Sequence, residues 1–205
     1  VQTMNRNVEQ HFQTIPEVEI PRSRFDMSYS HKTTLNEGDL VPIGIKEILP
    51  GDSMTCRINT LMRMMTPIVP VADGCHVDIY AFFVPNRTVW THWEEFCGAN
   101  KTTYWTQPAQ YTIPQLKVDV AGGNSILPYK GSIWDYMGLP TGKDKLSVNV
   151  LPFRAYCKIY NDWFWNENLF EPLDLQTTDN DSYFNNTTNF SVTAPRRGAS
   201  PEKVG

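Results

Sequence analysis

The chain has 205 residues, a formal net charge of −4 from 18 Lys and Arg against 22 Asp and Glu, and an apolar fraction of 40%. That is enough chain for one sizeable domain, and the absence of long like-charge runs excludes a composition-wide electrostatic grip on nucleic acid, so any DNA contact must be local. No stretch approaches the roughly 20 apolar residues that span a bilayer, and residues 1–20 lack the cationic start and apolar core of an export signal; the chain reads as neither membrane-bound nor Sec-exported.

In chain order, residues 1–30, with Pro16, Pro21 and little periodicity, read as an extended arm that needs another surface to lie on. Leu40 to Ile48 is mainly apolar and β-branched. Leu49 to Ser53 (LPGDS) is a turn on chemical grounds, because proline presets one dihedral and glycine permits the left-handed one. In the run after it, Met54, Cys56, Ile58, Thr60 and Met62 fall on one face while Thr55, Arg57, Asn59, Leu61 and Arg63 fall on the other, which predicts a strand. With Leu40–Ile48 it makes a candidate hairpin or sheet-to-sheet connection. Val77, Ile79, Ala81 and Phe83 alternate with Tyr80, Phe82 and Val84, predicting a strand buried on both faces and ended by Pro85.

Trp90, Trp93 and Phe96 or Cys97 stand at helical spacing before Gly98, predicting a short helix. Residues 99–150, with glycine pairs and short apolar runs such as LKVDVAGG and LSVNV around SIWDYMGLP, read as an insertion of loops and brief strands. Leu151 to Leu169 is the best helix in the sequence. Pro152 suits a first helical position, and Tyr156, Tyr160, Trp163 and Phe164 recur at i, i+4, i+7, i+8 as one packing face. Arg154, Lys158 and Asp162 lie on another face, where the last two can pair, and Trp165 falls off the stripe. The polar, Asn- and Thr-rich stretch from Gln176 reads as a surface loop.

These elements give a mainly β chain with long loop insertions and a few short helices. It divides into an arm over 1–30, first strands and a short helix over 31–98, a loop-rich insertion over 99–150, a helix over 151–175 packing on a β-sandwich, and a polar loop over 176–205, after which the chain is expected to continue. About five to seven β segments can be placed, against the roughly seven or eight of a closed sandwich. Either strands hide in weak segments or further chain completes the fold.

No motif fixes a catalytic geometry, and no catalytic residue, metal ligand or cofactor is expected. Cys56, Cys75, Cys97 and Cys157 are far apart and read as reduced and buried. His76 sits beside Cys75 and two before Asp78, but adjacent strand residues point to opposite faces, so a metal site is disfavoured. Glu94 and Glu95 diverge on a helix and read as a solvated face. Arg22, Arg24, Lys32, Arg57, Arg63, Arg196 and Arg197 are candidate phosphate contacts, and Phe25 and Tyr29 near the first two allow stacking on single-stranded nucleic acid. Trp90, Trp93, Tyr156, Tyr160, Trp163, Phe164 and Trp165 are candidates for core packing or a subunit interface. Six tryptophans and nine tyrosines in a proline-rich β framework also admit a carbohydrate-binding β-sandwich module, with Trp105 as its test residue.

Three collinear stretches carry a family likeness: RSRFDMSYSHKTTLNEGDLVPI from Arg22, EILPGDSMTCRINTLMRMMTPIVPVADGCHVDIYAFFVPNRTVWTHWEEFCG from Glu47, and LPFRAYCKIYNDWFWNENL from Leu151. Together they resemble the N-terminal portion of a Microviridae major capsid protein, of the gokushovirus branch; AYCKIYNDWF is similar to a helix of phiX-like capsid proteins. Residues 101–148 and those from Thr177 onward match weakly or not at all. The resemblance implies an eight-stranded viral jelly roll with large insertions, in a structural protein that is not an enzyme. It implies a T=1 icosahedral shell of a bacteriophage, built from copies of the chain around single-stranded DNA with other virion proteins. The location implied is the virion, assembled in the bacterial host cytoplasm. Arg22, Arg24 and Lys32 are then the candidates to face DNA.

Overall fold

The computed structural model describes residues 21–103, 105–106, 109–123, 125–168 and 171–184. The chain divides into two units, Val1–Ser30 and His31–Gly205. In the first, the described residues 21–30 are exposed and form no helix or strand; Asp26 accepts hydrogen bonds from the backbone N–H and hydroxyl of Ser28.

In the second unit the packed core lies where the sequence reads as an insertion. A three-stranded sheet has the order β2-β1-β3: β1 (Gln115–Lys117) pairs antiparallel with β2 (Ser147–Asn149) and parallel with β3 (Ser182–Tyr183). Leu116 and Val118 point into a core shared with Ile133, Trp134, Val150, Phe153, Tyr156, Tyr160 and Phe184. The SIWDYMGLP segment forms a one-turn helix, α2 (Ile133–Tyr136); the two helical elements around it are the turn α1 (Trp93–Phe96) and the longer α3 (Leu151–Ile159). The Ser132 hydroxyl caps α2 by accepting from the Asp135 N–H, and Gly138, at φ +81°, follows its end in the left-handed conformation that glycine adopts without a Cβ clash. Trp134 is fully buried, and its indole N–H reaches the Pro140 carbonyl at 3.0 Å.

The segments with the clearest strand alternation form no strand. Among the described residues, no helix or ladder occurs from 40 to 85, although the turn at Leu49 forms as expected: the Asp52 N–H donates to the Leu49 carbonyl and Gly51 takes φ +88°. Leu40 and Val41 pack on the core, but Met54, Ile58, Met62, Val77, Ile79 and Phe83 are exposed, and Leu61 is 100% exposed. Alternation sorts side chains onto two faces; a ladder additionally needs a neighbouring backbone, and none of the described residues supplies one. The polar stretch after Gln176 differs in the opposite sense, since Ser182 and Tyr183 join the sheet and Phe184 enters the core; residues 185–205 lie outside the described set.

Candidate assembly surface

Leu151–Ile159 is α-helical as the spacing predicts. Asn149 accepts the Leu151 N–H through its side chain at 2.9 Å, and Pro152 occupies the first turn. At Tyr160 the helix widens into a π turn, Tyr160–Phe164, closed by the Trp165 N–H donating to the Tyr160 carbonyl at 2.9 Å. A wider turn rotates each residue by less than the roughly 100° of an α-helix, so the expected face divides at this point. Tyr156 and Tyr160 stay buried and Phe164 half-buried, while Trp163 turns out to 71% exposure. Trp165, expected off the stripe, packs half-buried on the core.

Trp163 is not bare on all sides. Its ring lies 5.7 Å from Phe82, which meets Phe164 edge-on at 6.0 Å, and Tyr80 meets Phe164 at 5.7 Å. Lys158 and Asp162 pair at 2.9 Å beside this cluster. Asn161 uses its amide like a strand backbone, donating to the Leu173 carbonyl and accepting the Leu173 N–H at 2.8 and 2.9 Å. Sequence reasoning missed this clamp; its signal was an amide side chain inside an otherwise aromatic helix.

Trp90 and Trp93 form a second cluster. Trp90 is fully buried, with Trp93 against it at 6.2 Å and Phe96 at 5.4 Å, and its indole N–H donates to Asp179 at 2.7 Å. Asp179 also faces His92 Nδ1 at 2.9 Å, and the His92 ring stacks on Tyr111 with centroids 4.2 Å apart. Burial pushes the Asp179 carboxyl up, but the contacts with His92 and Trp90 outweigh it, and the group sits below the ordinary carboxylate value. Arg154, expected on a face other than the aromatic stripe, is fully buried: Nη1 donates to the Val89 carbonyl and Nη2 to the Asn180 carbonyl, both at 3.3 Å, and Nε has no hydrogen-bond partner.

The remaining candidates are dispersed. Arg22 and Arg24 are exposed in the first unit, Lys32 is exposed in the second, and Arg57 and Arg63 are exposed in the run without ladder partners. Arg196 and Arg197 lie outside the described residues. Glu94 and Glu95 share Lys101, at 3.4 and 3.3 Å, and Glu95 is half-buried, so they make an ion-pair cluster in place of the expected solvated face. All four cysteines are free, but only Cys157 is buried; Cys56, Cys75 and Cys97 are exposed, against expectation. Among the described residues no three His, Cys, Asp or Glu gather to hold a metal, and no helix is long and apolar enough to cross a membrane.

Among the described residues, aromatic packing and uncovered apolar chain are the dominant surface features. The chain matches the family described as Capsid protein (F protein) over residues 13–195, and it belongs to that viral capsid family. Its relatives are Microviridae proteins named Capsid protein VP1. That of Bdellovibrio phage phiMH2K is 42% identical over 175 residues, 85% of this chain and 32% of the relative. That of Chlamydia phage 1 is 39% identical over 86% of the chain and 30% of its own length, and that of Spiroplasma virus 4 is 32% identical over 89% and 32%. The chain thus spans about a third of the length of each.

Proposed function

We propose that this chain is a portion of the major capsid protein of a small single-stranded DNA bacteriophage, structural and not catalytic, whose copies assemble into a T=1 icosahedral shell. The observation that carries this reading is the match to phage capsid relatives along 85–89% of the chain. The largely uncovered apolar run from Met54 to Phe83 supports a finer reading, in which the complete subunit is an eight-stranded jelly-roll β-sandwich and this run supplies strands whose partners belong to the rest of that subunit. So many exposed large apolar side chains in one run are rare on a protein that works alone. The subunit resides in the virion after assembly in the host cytoplasm, alongside other virion proteins. Arg22, Arg24 and Lys32 face packaged DNA, with Phe25 and Tyr29, both exposed, offering rings on which bases stack.

The carbohydrate-binding alternative needs open rings. Burial of Trp90 and Trp134 and half-burial of Trp93 and Trp165 withdraw four of the six tryptophans from an open platform. Negative-stain microscopy of the expressed full-length protein tests the capsid reading: small icosahedral particles or capsomers are expected, and a monodisperse monomer under all assembly conditions overturns it. Crosslinking of genome-filled particles should recover DNA on peptides around Arg22 and Arg24; their absence among the crosslinks removes the DNA-facing role.

A further inference from the structure

Residues 177–181 cross the outside of Trp90 and β1, and their attachment is concentrated in two carboxylates. Asp179 receives the Trp90 indole at 2.7 Å and His92 at 2.9 Å. Asp181 receives the Gln115 N–H at 2.8 Å with one oxygen and pairs with Lys117 Nζ at 2.6 Å with the other. The backbone adds few bonds here: Thr91 donates its N–H and its hydroxyl to the Thr177 carbonyl, each at 3.1 Å, and Arg154 reaches the Asn180 carbonyl. Two residues further on the attachment changes character, because Ser182 and Tyr183 are in the sheet and Phe184 is buried against Trp134 at 5.4 Å.

We infer that residues 177–181 form a strap closed by Asp179 and Asp181, which acid opens on a hinge at Ser182 while the core beneath stays folded. The charged groups around the two carboxylates favour a latch of this kind. Asp179 faces His92, beyond which lie Glu95 at 3.8 Å and Lys101, and it faces the buried Arg154 of α3. Asp181 faces Lys117, which also lies near the Tyr183 phenol. Protonating Asp179 turns the acceptor of two donors into a neutral acid and removes the nearby negative charge from Arg154, whose Nε has no partner to fall back on. The Asp179 side chain is 41% exposed, so protons reach it with the strap closed. Both carboxyls lie below their ordinary value, for the same reason in each: hydrogen bonds and opposite charge outweigh burial. The latch is therefore closed at neutral pH and opens as pH falls below the ordinary carboxylate range. Opening uncovers Trp90 and frees the path of the chain up to Ser182.

Hydrogen exchange with peptide resolution, on the intact protein, tests this. At pH 7 the double variant Asp179→Asn, Asp181→Asn should exchange the Thr91 and Gln115 amides, which donate to the Thr177 carbonyl and to Asp181, about tenfold or more faster than the parent, the loss expected when charge-assisted hydrogen bonds are weakened. The peptide covering Leu151–Tyr160 should be unchanged. Acidification of the parent should uncouple the same two regions once intrinsic rates are corrected. Asp144→Asn is the control: its carboxylate accepts the Val120 and Lys145 N–H groups away from the strap, and its loss should leave the Thr91 and Gln115 amides protected. Parental protection of the Thr91 and Gln115 amides in the double variant, or simultaneous opening of strap and α3 in acid, overturns the proposal.

Discussion

Cys157 lies fully buried on α3 between Tyr156 and Tyr160, and its thiol is pushed up from an ordinary 9.0 to about 12, chiefly by burial and then by the Asp174 charge. The unfolded thiol ionises first as pH rises, so the stability carried by the neutral native thiol is whole below about pH 9 and is lost as pH climbs toward 12. Urea midpoints should fall across that window and fall less steeply in Cys157→Ala. Thiol labelling of the native 205-residue chain near pH 8 should modify Cys56, Cys75 and Cys97 and leave Cys157 intact. Arg154 is the other residue whose setting overrides its type. Arg154→Ala leaves the buried Val89 carbonyl and the part-buried Asn180 carbonyl without this donor and opens space in the core, and a loss of about 3 kcal/mol in denaturant unfolding is expected. Its position among aromatic neighbours in the sequence reads as a helix face, and nothing local marks it as the cation at the meeting of α3, Val89 and Asn180.

The aromatic helix shows how far periodicity carries. Tyr156 and Tyr160, which the spacing offers for core packing or a subunit interface, are buried within this chain, because both fall in or at the end of the α-helical part. Beyond Tyr160 the stripe divides, with Trp163 exposed and Trp165 half-buried, because one residue of extra turn shifts the register and no residue type announces a π turn. The consequence is measurable. Trp163→Ala should change the stability of the isolated chain by under about 1 kcal/mol, whereas Trp134→Ala, with its ring buried against Phe153 and Phe184, should cost about 3–5 kcal/mol. Asn161→Ala should fall in between, near 2 kcal/mol, by freeing both backbone groups of Leu173. Equal losses for the two tryptophans would contradict the divided face.

Over the whole molecule, the described residues hold a packed core drawn mainly from 111 to 184, with Val89 and Trp90 in a second buried cluster, and a long, largely uncovered apolar run from Met54 to Phe83. If the remainder of the capsid subunit covers that run, Cys56 and Cys75 should become resistant to labelling in assembled full-length particles while they label readily in the 205-residue chain. The short chain should bind a hydrophobic dye strongly and self-associate at micromolar concentration, as uncovered apolar surface and unpaired strand-forming segments do. Unchanged cysteine reactivity in the particle would remove the jelly-roll role of Met54–Phe83.

Composition, the missing catalytic motifs, the collinear family blocks, the turn at Leu49 and the helix from Leu151 were all legible in the sequence, since each rests on residue identity or short-range spacing. The location of the core was not. LKVDVAGG and LSVNV are too short to show a period, yet β1 and β2 pair over three residues because Leu116 and Val148 meet across 32 positions of chain. The Asp179-Asn180-Asp181 stretch reads as solvated loop until Trp90, His92, Lys117 and Arg154 are brought to it from three distant segments. The strongest alternation, from Met54 to Val84, remained without a ladder for the complementary reason. Sequence determines which side chains a strand presents, but only tertiary structure supplies the second backbone that its hydrogen bonds require.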